Sequence, residues 1–583
     1  MIKKWRFLIL ALVFSLLASC ANPSPAPLDT NGGDTQPDAV EPLPIPLSSF
    51  QLVRPDRSSK ELTDAIVSFN AKVKEQLGEA LKIRLDILSE RETAYEILIG
   101  NCENTVCETV YATLADGDYG IQTVAGEDNI KIVVYGYDEF LTLRAFSKLE
   151  ALLDGGSFID DGMLVQPNLK CNYYNDYANF TLKIGDPILV TKGASYAELG
   201  WGPYQFPNLF YTQSGSIICR WHTSNDKIYG GIQFDIPSSA VSDDGGLTWR
   251  KTASTDLLSY ESRALMQNGK YFAGFGSMGA YEADYLDNYN PLYTTKDGTK
   301  LYSATVLKEL DKAFSINEYD PVTQKVTNVP CKINWPNMLV SVHDGNIVYP
   351  PQKALGIAHG LGDLATEDAL YFCTYSYCLD SQTGKVGKYT DYRSVVVLRS
   401  TDSGRNWDLV SQISINDDVL AESQKHSGSL EGFNEPMMEQ MSDGSIVMLM
   451  RTGSNQPCYL VRSTDGCKTW SKPVKFDEVG VRPFIMRLDC GVTLSTYGRD
   501  GLFIRGTSDP SGLEWQDPIE ILFNRYGGTK SCYYTYMLPL DRTTAILVHS
   551  YFYYTESSIV ESPALKSVVV RMITVEPAPE ASG

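Results

Sequence analysis

One segment in the last third of this 583-residue chain joins a carboxylate and a guanidinium through a predicted loop, a turn and the strand that follows. In NEPMMEQMSDGSIVMLMR, Glu435 opens the segment, residues 442–444 form the turn, and Arg451 closes it 16 residues after Glu435. A glutamate can accept a proton during catalysis, and a guanidinium can bind a carboxylate through two parallel hydrogen bonds. Arg499, in LSTYGRDG, offers a second guanidinium. The alternatives are a glutamate that caps turns and arginines that form salt bridges between sheets.

Histidine and cysteine do not suggest a metal centre. The five histidines are scattered, and no pair of cysteines combines with histidine at the spacing of a zinc site. Cys102 and Cys107 are close in sequence but do not form a CxxC motif, and no thiol stands out as a nucleophile. We therefore predict no bound metal and no cofactor, with cysteines that are mostly buried thiols.

A repeated octapeptide indicates the elements that position these charged residues. SDDGGLTW ends at Trp249, STDSGRNW at Trp407 and STDGCKTW at Trp470, and a degraded copy, SDPSGLEW, ends at Trp515. In the shared pattern SxDxGxTW, serine and aspartate can bond the backbone of a tight turn, and glycine supplies a positive φ. Apolar, β-branched runs precede the copies, so each copy is predicted to lie in a turn between two strands.

The spacing of the copies predicts a fold that is mainly β. Trp407 and Trp470 are 63 residues apart, and Trp470 and Trp515 are 45 apart, which suits four-stranded propeller blades. Roughly 390 residues at about 65 per blade predict a six-bladed β-propeller over residues 175–577. Alternating helix and strand patterns predict a small α/β domain over residues 50–165, whose first helix would begin at a capping box of Ser58 and Glu61. In the third copy, Cys467 takes the glycine position unless Gly466 shifts the turn by one residue.

The repeated turn resembles the Asp-box of the sialidase superfamily, over the C-terminal two thirds of the chain. The resemblance implies a six-bladed propeller and an exo-acting glycoside hydrolase that removes terminal sialic or other acidic sugars from glycans. The NE…SDG…R segment is similar to one that brings a glutamate and an arginine to the central cavity of sialidases. SCYYTYMLPL likewise resembles the segment of the sialidase tyrosine, which aligns with Tyr534. The α/β domain resembles accessory domains of bacterial glycoside hydrolases, which implies a supporting role.

The resemblance implies a role for each of these residues. Tyr534 would be the nucleophile, Glu435 its base, and Arg451 and Arg499 would bind the substrate carboxylate. A neutral tyrosine suits a sialic acid, because the carboxylate on the anomeric carbon would repel an anionic nucleophile. The general acid would follow the next strand of the first blade, where Asp226 is the candidate.

The sequence departs from the sialidase pattern at the front of the propeller. In place of the FRIP-like segment that supplies a third arginine, the chain has YQFPNLF, with Gln205 at the arginine position. Arg220 is a candidate for compensating the lost charge. The departure leaves two alternatives open, a glycosidase with a non-sialic substrate and a propeller that binds glycans without cleaving them.

The N-terminus predicts export and anchoring. MIKKWR is a basic region, FLILALVFSLLA is an apolar region, and LASC fits the cleavage site of a bacterial lipoprotein, with residues 1–19 as the signal peptide and Cys20 as the lipidated residue. The alternative is an ordinary secretory signal. Residues 20–49 are rich in proline and aspartate and read as a flexible linker. We expect a membrane-anchored lipoprotein on a bacterial cell surface, and the net charge of -21 argues against nucleic acid as a partner.

Overall fold

The computed structural model describes residues 45–578 of the chain, with internal gaps. The gaps are residues 89–91, 157, 161–162, 165–166, 196–202, 213, 225–235, 237, 253–263, 278–281, 308–313, 324, 344, 351–362, 367, 500, 523–533 and 553–564. The chain divides between Cys171 and Asn172 into two compact units. Within the described ranges, no helix is both long enough and apolar enough to cross a membrane. The cysteines of these ranges are free thiols, and most are buried.

The first unit contains one six-stranded sheet and three helices. In spatial order the strands are β2 (Lys82–Leu85), β1 (Gln51–Arg54), β3 (Tyr95–Ile99), β5 (Ile130–Gly136), β4 (Asp118–Ala125) and β8 (Leu169–Asn172). Strands β2, β1, β3 and β5 run parallel, and β4 pairs antiparallel with β5. The helices are α1 (Lys60–Leu77), α2 (Thr105–Tyr111) and α3 (Glu139–Asp154), and a small hairpin has strands β6 (Ile159–Asp160) and β7 (Met163–Leu164).

Helix α1 begins one residue later than the capping box predicts. The hydroxyl of Ser59 accepts a hydrogen bond from the backbone N–H of Leu62 at 3.0 Å, so Ser59 is the N-cap. Ser58 donates its hydroxyl to the carbonyl of Pro55 and is not the cap. The buried face of the helix packs against α3, with the rings of Phe69 and Phe146 5.3 Å apart.

The described residues of the second unit form seven sheets. Sheet 1 contains β11 (Asn208–Tyr211), β12 (Ile217–Arg220), β13 (Ser239–Ser242) and β14 (Arg250–Thr252). Sheet 2 contains β15 (Tyr271–Ser277), β18 (Phe314–Asp320) and β19 (Lys325–Pro330). An inserted sheet contains β16 (Tyr293–Thr294), β17 (Lys300–Ser303), β21 (Leu339–His343) and β22 (Asn346–Val348). Sheet 3 contains β23 (Asp363–Ala365), β24 (Leu370–Tyr377), β25 (Arg393–Ser400), β26 (Asn406–Ile413) and β20 (Lys332–Asn334).

The remaining three sheets are formed mainly by strands that follow helix α4 (Asp417–Ser423). Sheet 4 contains β27 (Asn434–Gln440), β28 (Ile446–Arg451), β29 (Cys458–Ser463) and β30 (Val474–Asp477). Sheet 5 contains β31 (Val481–Arg487), β32 (Thr493–Gly498), β33 (Leu502–Thr507) and β34 (Ile519–Leu522). Sheet 6 contains β35 (Thr535–Pro539), β36 (Thr544–Phe552), β37 (Leu565–Pro577), β10 (Ile188–Ser195) and β9 (Phe180–Ile184).

The first strands of several sheets lie beside one another. Strand β27 of sheet 4 contacts β31 of sheet 5 and β24 of sheet 3, and β35 of sheet 6 contacts both β31 and β11. Sheet 6 is completed by β10, which comes from the start of the unit and pairs antiparallel with β37 near its end. The two ends of the unit are therefore joined in one sheet, and residues at the heads of β11, β27, β31 and β35 come close together.

The SxDxGxTW turns occupy one position in the architecture. All four copies join the third strand to the fourth, in sheets 1, 3, 4 and 5. In the second copy, Ser400 bonds Asp402 at 2.8 Å, and the serine oxygen accepts the N–H of Gly404 at 2.9 Å. In the third copy, the N–H of Cys467 makes the same bond to Ser463 at 3.0 Å, with a φ of 65°. Cys467 therefore takes the glycine position without a shift of the turn.

The tryptophan of the second copy is the largest side chain of the core. Trp407 is fully buried, donates its indole N–H to the carbonyl of Gly404 at 2.9 Å, and packs its ring 5.0 Å from that of Phe275. Trp249 of the first copy makes the same 2.9 Å bond, to Gly246, but is only half-buried. The two tryptophans share a turn and differ in the depth of their packing.

This difference predicts unequal stability losses. Trp407→Ala is expected to lower the free energy of unfolding by about 3–5 kcal/mol, since it leaves a cavity among packed aromatic rings. Trp249→Ala is expected to cost less than half as much, because the surrounding atoms and solvent can fill the space. Urea denaturation followed by far-UV circular dichroism measures both. Equal losses would show that the turn, rather than the depth of packing, determines the contribution.

Candidate active site

The heads of three neighbouring sheets share one irregularity in register. In sheet 4, Asn434 pairs with Arg451, but the next pair is Met437 with Leu449, so β27 carries one extra residue. In sheet 5 the same step separates the pairs formed by Val481 and Phe484. A β-bulge of this kind bends the strand and re-aims a side chain, and bulges are frequent beside active sites.

Sheet 1 repeats this step. The N–H of His222 bonds the carbonyl of Gln205 at 2.9 Å, and the regular ladder resumes with Asn208 opposite Arg220. Three residues on one strand thus face two on the other, as in sheets 4 and 5. The repeat makes Phe206 the structural counterpart of Glu435 in sheet 4 and of Arg482 in sheet 5.

The extra residue at each bulge has an unusual backbone conformation. Phe206, Glu435 and Arg482 have φ angles of 52°, 44° and 47°, and each precedes a proline. Residues with side chains avoid this left-handed region, and a following proline restricts them further. Strained backbone of this kind clusters at functional sites, where the surrounding structure holds it in place. The three side chains are therefore held in defined directions by their strands.

These three side chains surround Tyr534, which stands immediately before β35. The hydroxyl of Tyr534 donates a short hydrogen bond to Oε1 of Glu435. The ring of Phe206 meets the tyrosine ring edge-on at 4.8 Å, and the guanidinium carbon of Arg482 lies 5.8 Å from the ring centre. The tyrosine, the glutamate and Arg482 are all buried. A phenol and a carboxylate in this contact have the chemistry that a nucleophile and its base require.

The carboxylate of Glu435 is held at both oxygens. Nη1 of Arg451 donates to Oε1 at 2.8 Å, and the backbone N–H of Arg482 donates to Oε2 at 3.0 Å. Burial is the largest influence on the pKa of Glu435 and acts to raise it, but Arg451, the bond from Tyr534 and Arg482 together hold the pKa below its ordinary value. Glu435 is therefore ionised, as a proton acceptor must be.

The pKa of Tyr534 is shifted in the opposite direction. Burial and the neighbouring Glu435 raise its pKa well above the ordinary value for a phenol, although Arg451 acts to lower it. The shared proton consequently stays on the tyrosine in the resting state. A phenol held in this way could give its proton to Glu435 only as its oxygen formed a new bond.

Further charges continue the network away from Tyr534. Nη2 of Arg451 bonds Glu431 at 3.0 Å and Ser454 at 3.2 Å. Glu431 also accepts from Arg393 at 2.8 Å, and Arg499 donates to the same Ser454 at 3.2 Å. Arg499 therefore reaches the cluster through a serine that it shares with Arg451.

The described residues of this cluster carry more positive than negative charge. Four guanidinium groups and two carboxylates belong to it, namely Arg393, Arg451, Arg482, Arg499, Glu431 and Glu435. The whole chain has the opposite sign, with a net charge of -21. A local positive field inside an acidic protein is suited to the binding of an anionic group.

The front of the unit supplies no arginine at the position of Gln205. Gln205 is fully buried, and its side-chain oxygen accepts a 3.2 Å hydrogen bond from Ser550 of β36. Phe206, the next residue, is the one that contacts Tyr534. The guanidinium of Arg220 lies 5.6 Å from the ring centre of Phe210 on the same sheet. The structure therefore places Arg220 beside an aromatic ring and shows no bond from it to Glu435 or Tyr534 among the described residues.

Two candidates from the sequence have no described position, and one further arginine belongs to a different contact. Asp226 and Cys20 both lie outside the described residues. Arg505, on β33 of sheet 5, forms an ion pair with Asp477 of sheet 4 at 2.8 Å. Its guanidinium also lies 4.9 Å from the ring centre of Phe476, which is a structural role.

Sequence reasoning missed Arg482, Glu431 and Phe206. A signal for two of them was present, because Phe206 and Arg482 precede prolines at the heads of strands, as Glu435 does. The segments QFP, NEP and VRP are too short to align by eye, and only the shared bulge shows that they are equivalent. Glu431 has no comparable signal, since nothing in the sequence predicts that it bridges two arginines.

One group of side chains outside the cluster has the composition of a metal site. Ligand atoms of Glu422, His426 and Glu478 lie within 4.8 Å of one another. However, Nζ of Lys475 bonds Glu422 at 2.9 Å and Glu478 at 2.5 Å. Because an ammonium group already neutralises both carboxylates, we assign no metal to this group.

Comparison with known proteins gives neighbours by structure alone. No family model matches the chain, and no curated protein matches it by sequence. A Dyadobacter fermentans protein of unknown function aligns with a TM-score of 0.44 and 15% identity, covering 68% of this chain and 99% of its own. The Hadza microbial sialidase Hz136 aligns with a TM-score of 0.32 and 12% identity, covering 67% of this chain and 68% of its own. An α-L-arabinanase of Penicillium chrysogenum aligns with a TM-score of 0.32 and 13% identity, covering 67% of this chain and 98% of its own. Two of these structural neighbours are thus named as a sialidase and an arabinanase, at 12% and 13% sequence identity.

Proposed function

We propose that this protein is an exo-acting glycoside hydrolase of the sialidase type, which releases a terminal acidic sugar with retention of configuration. The observation that carries the proposal is the buried contact between the Tyr534 hydroxyl and the Glu435 carboxylate, with Arg451 bonded to the same carboxylate. A tyrosine activated by a glutamate is a nucleophile for a sugar whose anomeric carbon bears a carboxylate.

In the first step, Glu435 takes the phenolic proton as the oxygen of Tyr534 attacks the anomeric carbon. The bond to the leaving oxygen breaks, and a general acid protonates that oxygen, a role that we propose for Asp226. In the second step, the general acid, now ionised, takes a proton from a water that attacks the same carbon from the side of the departed group, and the tyrosine oxygen leaves. Glu435 returns the proton to Tyr534. Two displacements at one carbon restore the original configuration.

The charge of the cluster supports an anionic substrate. Two nitrogens of Arg451 bond Glu435 and Glu431, and Arg482 and Arg499 bring two further guanidinium groups to the same cluster. We propose that Arg451 and Arg499 bind the sugar carboxylate from the side of Ser454, where their two guanidiniums converge on one hydroxyl. Planar guanidinium groups suit this role because they match carboxylate geometry.

We also propose an architecture and a location for the protein. Sheets 1 to 6 would be the six blades of a propeller, closed where β10 joins β37, and the inserted sheet would lie outside the ring. The first unit would support the catalytic unit without taking part in the chemistry. Lipidation at Cys20 would anchor the protein to a bacterial cell surface, where glycans of other cells are within reach.

Product analysis tests the proposed function. Purified protein lacking residues 1–49 is incubated with α-linked sialosides, and with neutral galactosides and arabino-oligosaccharides as controls. Proton NMR at early times is expected to show the free acidic sugar as its α-anomer, with no cleavage of the neutral substrates. Release of neutral sugars alone would overturn the acidic substrate, and release first of the β-anomer would overturn the covalent tyrosine.

A second function is favoured by one observation, the neutral Gln205 at the position of the sialidase arginine. With one charge fewer, the cavity could hold an acidic glycan without cleaving it. Isothermal titration separates the two functions, because a binding protein takes up the sialoside stoichiometrically and returns it intact. Continued heat evolution after saturation, accompanied by product, identifies the hydrolase.

A further inference from the structure

We propose that Arg482 is a positioning residue of the Glu435 and Tyr534 pair, whose backbone N–H orients the carboxylate and whose buried guanidinium lies beside the tyrosine ring. The proposal rests on the proposed function and adds to it a residue outside the sialidase pattern seen in the sequence. Three observations carry it, namely the backbone bond to Glu435, the location of the guanidinium, and the shared bulge.

The first observation fixes the direction of the carboxylate. The N–H of Arg482 donates to Oε2 of Glu435 at 3.0 Å, while Arg451 and Tyr534 both bond Oε1. One oxygen therefore faces the phenol and the other faces the backbone of β31. Because the positive φ at Arg482 turns this N–H toward sheet 4, the bulge itself orients the base.

The second observation concerns charge. The guanidinium of Arg482 belongs to a side chain that is 1% exposed, and it lies 5.8 Å from the ring centre of Tyr534. A cation at this distance from an aromatic face is attracted to the ring, more strongly when water is excluded. During the reaction the negative charge of Glu435 passes to the phenol oxygen as the proton moves the other way. A buried cation beside both groups favours the carboxylate before this transfer and the phenolate after it.

The third observation is the equivalence of the three bulges. Phe206 and Arg482 occupy the same structural position in sheets 1 and 5, and Glu435 occupies it in sheet 4. Sheet 1 thus places the apolar ring of Phe206 against Tyr534, whereas the guanidinium of Arg482 comes from sheet 5.

The charged and titratable groups around Glu435 come from every strand that packs on it. They are Tyr534 before β35, Arg451 on β28, Arg482 on β31 and Tyr375 on β24, with Glu431 behind Arg451. Two of these are cations, and Arg451 and Arg482 both act to lower the pKa of Glu435 against the effect of burial. Removing the charge of Arg482 must therefore raise the pKa of Glu435.

The expected result is a shift in the acid limb of the pH profile. Glu435 must be ionised to accept the phenolic proton, so kcat/KM falls as pH drops through its pKa in the free enzyme. Arg482→Met is expected to move this limb upward by about one pH unit, equivalent to a tenfold change in the protonation equilibrium. Arg482→Lys keeps a cation and is expected to return the limb toward the wild-type position. Both variants retain the backbone N–H, so the comparison isolates the side-chain charge.

Two controls make the result specific. Arg505→Met removes another guanidinium from an ion pair on the same sheets, and it is expected to lower stability without moving the acid limb. If Arg482 instead bound the substrate carboxylate, Arg482→Met would raise KM at every pH and leave the limb in place. That outcome would overturn the proposal.

Infrared titration provides a readout that does not depend on turnover. The band of protonated Glu435 is identified by its absence from Glu435→Gln, and its midpoint is expected to rise in Arg482→Met but much less in Arg482→Lys. A shifted band in a protein without glycosidase activity would retain Arg482 as a positioning residue and reject the proposed function. An unshifted band would reject the proposed role of Arg482 as a positioning residue, whether or not the protein hydrolyses sialosides.

Discussion

Tyr534→Phe is expected to lower kcat by at least about 10³-fold and to change the free energy of unfolding by less than about 1 kcal/mol. The substitution removes the only atom that can form a covalent bond to the sugar in the proposed mechanism. Glu435 remains bonded to Arg451 and to the N–H of Arg482, so its charge stays compensated. Initial rates with a chromogenic sialoside, together with urea denaturation, give both quantities.

Tyr497→Phe is the matched control. Tyr497 is also fully buried and also donates its hydroxyl to a carboxylate, that of Asp477, at 2.5 Å. It lies with Phe476 and Arg505, away from Glu435. The control variant is expected to keep at least about half of the wild-type kcat while losing about 1 kcal/mol of stability. Equal activity in the two variants would contradict the role of Tyr534 as nucleophile.

Arg451→Met is expected to have the largest effect on stability of any single change at the site. Arg451 is 11% exposed and compensates Glu435, which is 4% exposed, as well as the half-buried Glu431. Removing one partner of a buried pair leaves a charge without compensation and costs about 3–5 kcal/mol. Activity is expected to fall as well, since Glu435 would then favour its protonated form.

The pH dependence of this loss has a definite sign. The pKa of Glu435 is lowered in the folded protein, so its ionisation contributes stability above the pKa of the unfolded chain, and this contribution is lost as pH falls through the folded value. Arg451→Met should therefore destabilise the protein most near neutral pH and progressively less in acid. The double variant Arg451→Met with Glu435→Gln should recover part of the loss. Calorimetry between neutral and acid pH measures all three proteins.

Arg462→Met is the control for Arg451→Met. Arg462 pairs with Asp443 at 2.5 Å on the same sheet, but the two side chains are 23% and 29% exposed. Ion pairs with this access to water contribute about 0–1 kcal/mol. If the two variants lost equal stability, the network around Glu435 would contribute no more to the free energy of unfolding than a surface ion pair does.

The repeated turns were visible in the sequence because their chemistry is local. Serine, aspartate and glycine satisfy the turn's own backbone within eight residues, and the structure places all four copies at the same connection of their sheets. Even the substituted third copy keeps this geometry, with Cys467 at a φ of 65°. A pattern whose bonds all lie within one octapeptide can be read from the octapeptide alone.

The cluster around Tyr534 could be predicted only in part. Glu435 and Arg451 belong to one hairpin, so their proximity follows from pairing across a turn. Tyr534 and Arg482 come from other sheets, and only the arrangement of β35, β31 and β27 brings them to Glu435. The contribution of Arg482 also depends on an extra residue in β31, because regular register would turn its side chain to the other face. Bulges leave no periodic signal in a sequence, which is why Arg482 was missed.

Gln205 shows a second limit of sequence reasoning. Its position suggested a missing arginine, and the glutamine is indeed buried with its oxygen bonded to Ser550. The adjacent residue, Phe206, is the one that contacts Tyr534, because the positive φ turns its side chain. The consequence of the substitution therefore depends on backbone geometry as well as on the lost charge.

Trapping of the covalent intermediate tests the central claim most directly. A sialosyl fluoride with a second fluorine beside the anomeric carbon forms the glycosyl-enzyme but slows its hydrolysis, and peptide mass spectrometry then locates the sugar. We predict one sugar per protein, attached to Tyr534, and no adduct in Tyr534→Phe. Attachment to another residue, or complete turnover of the reagent through an inverted product without any adduct, would contradict the mechanism.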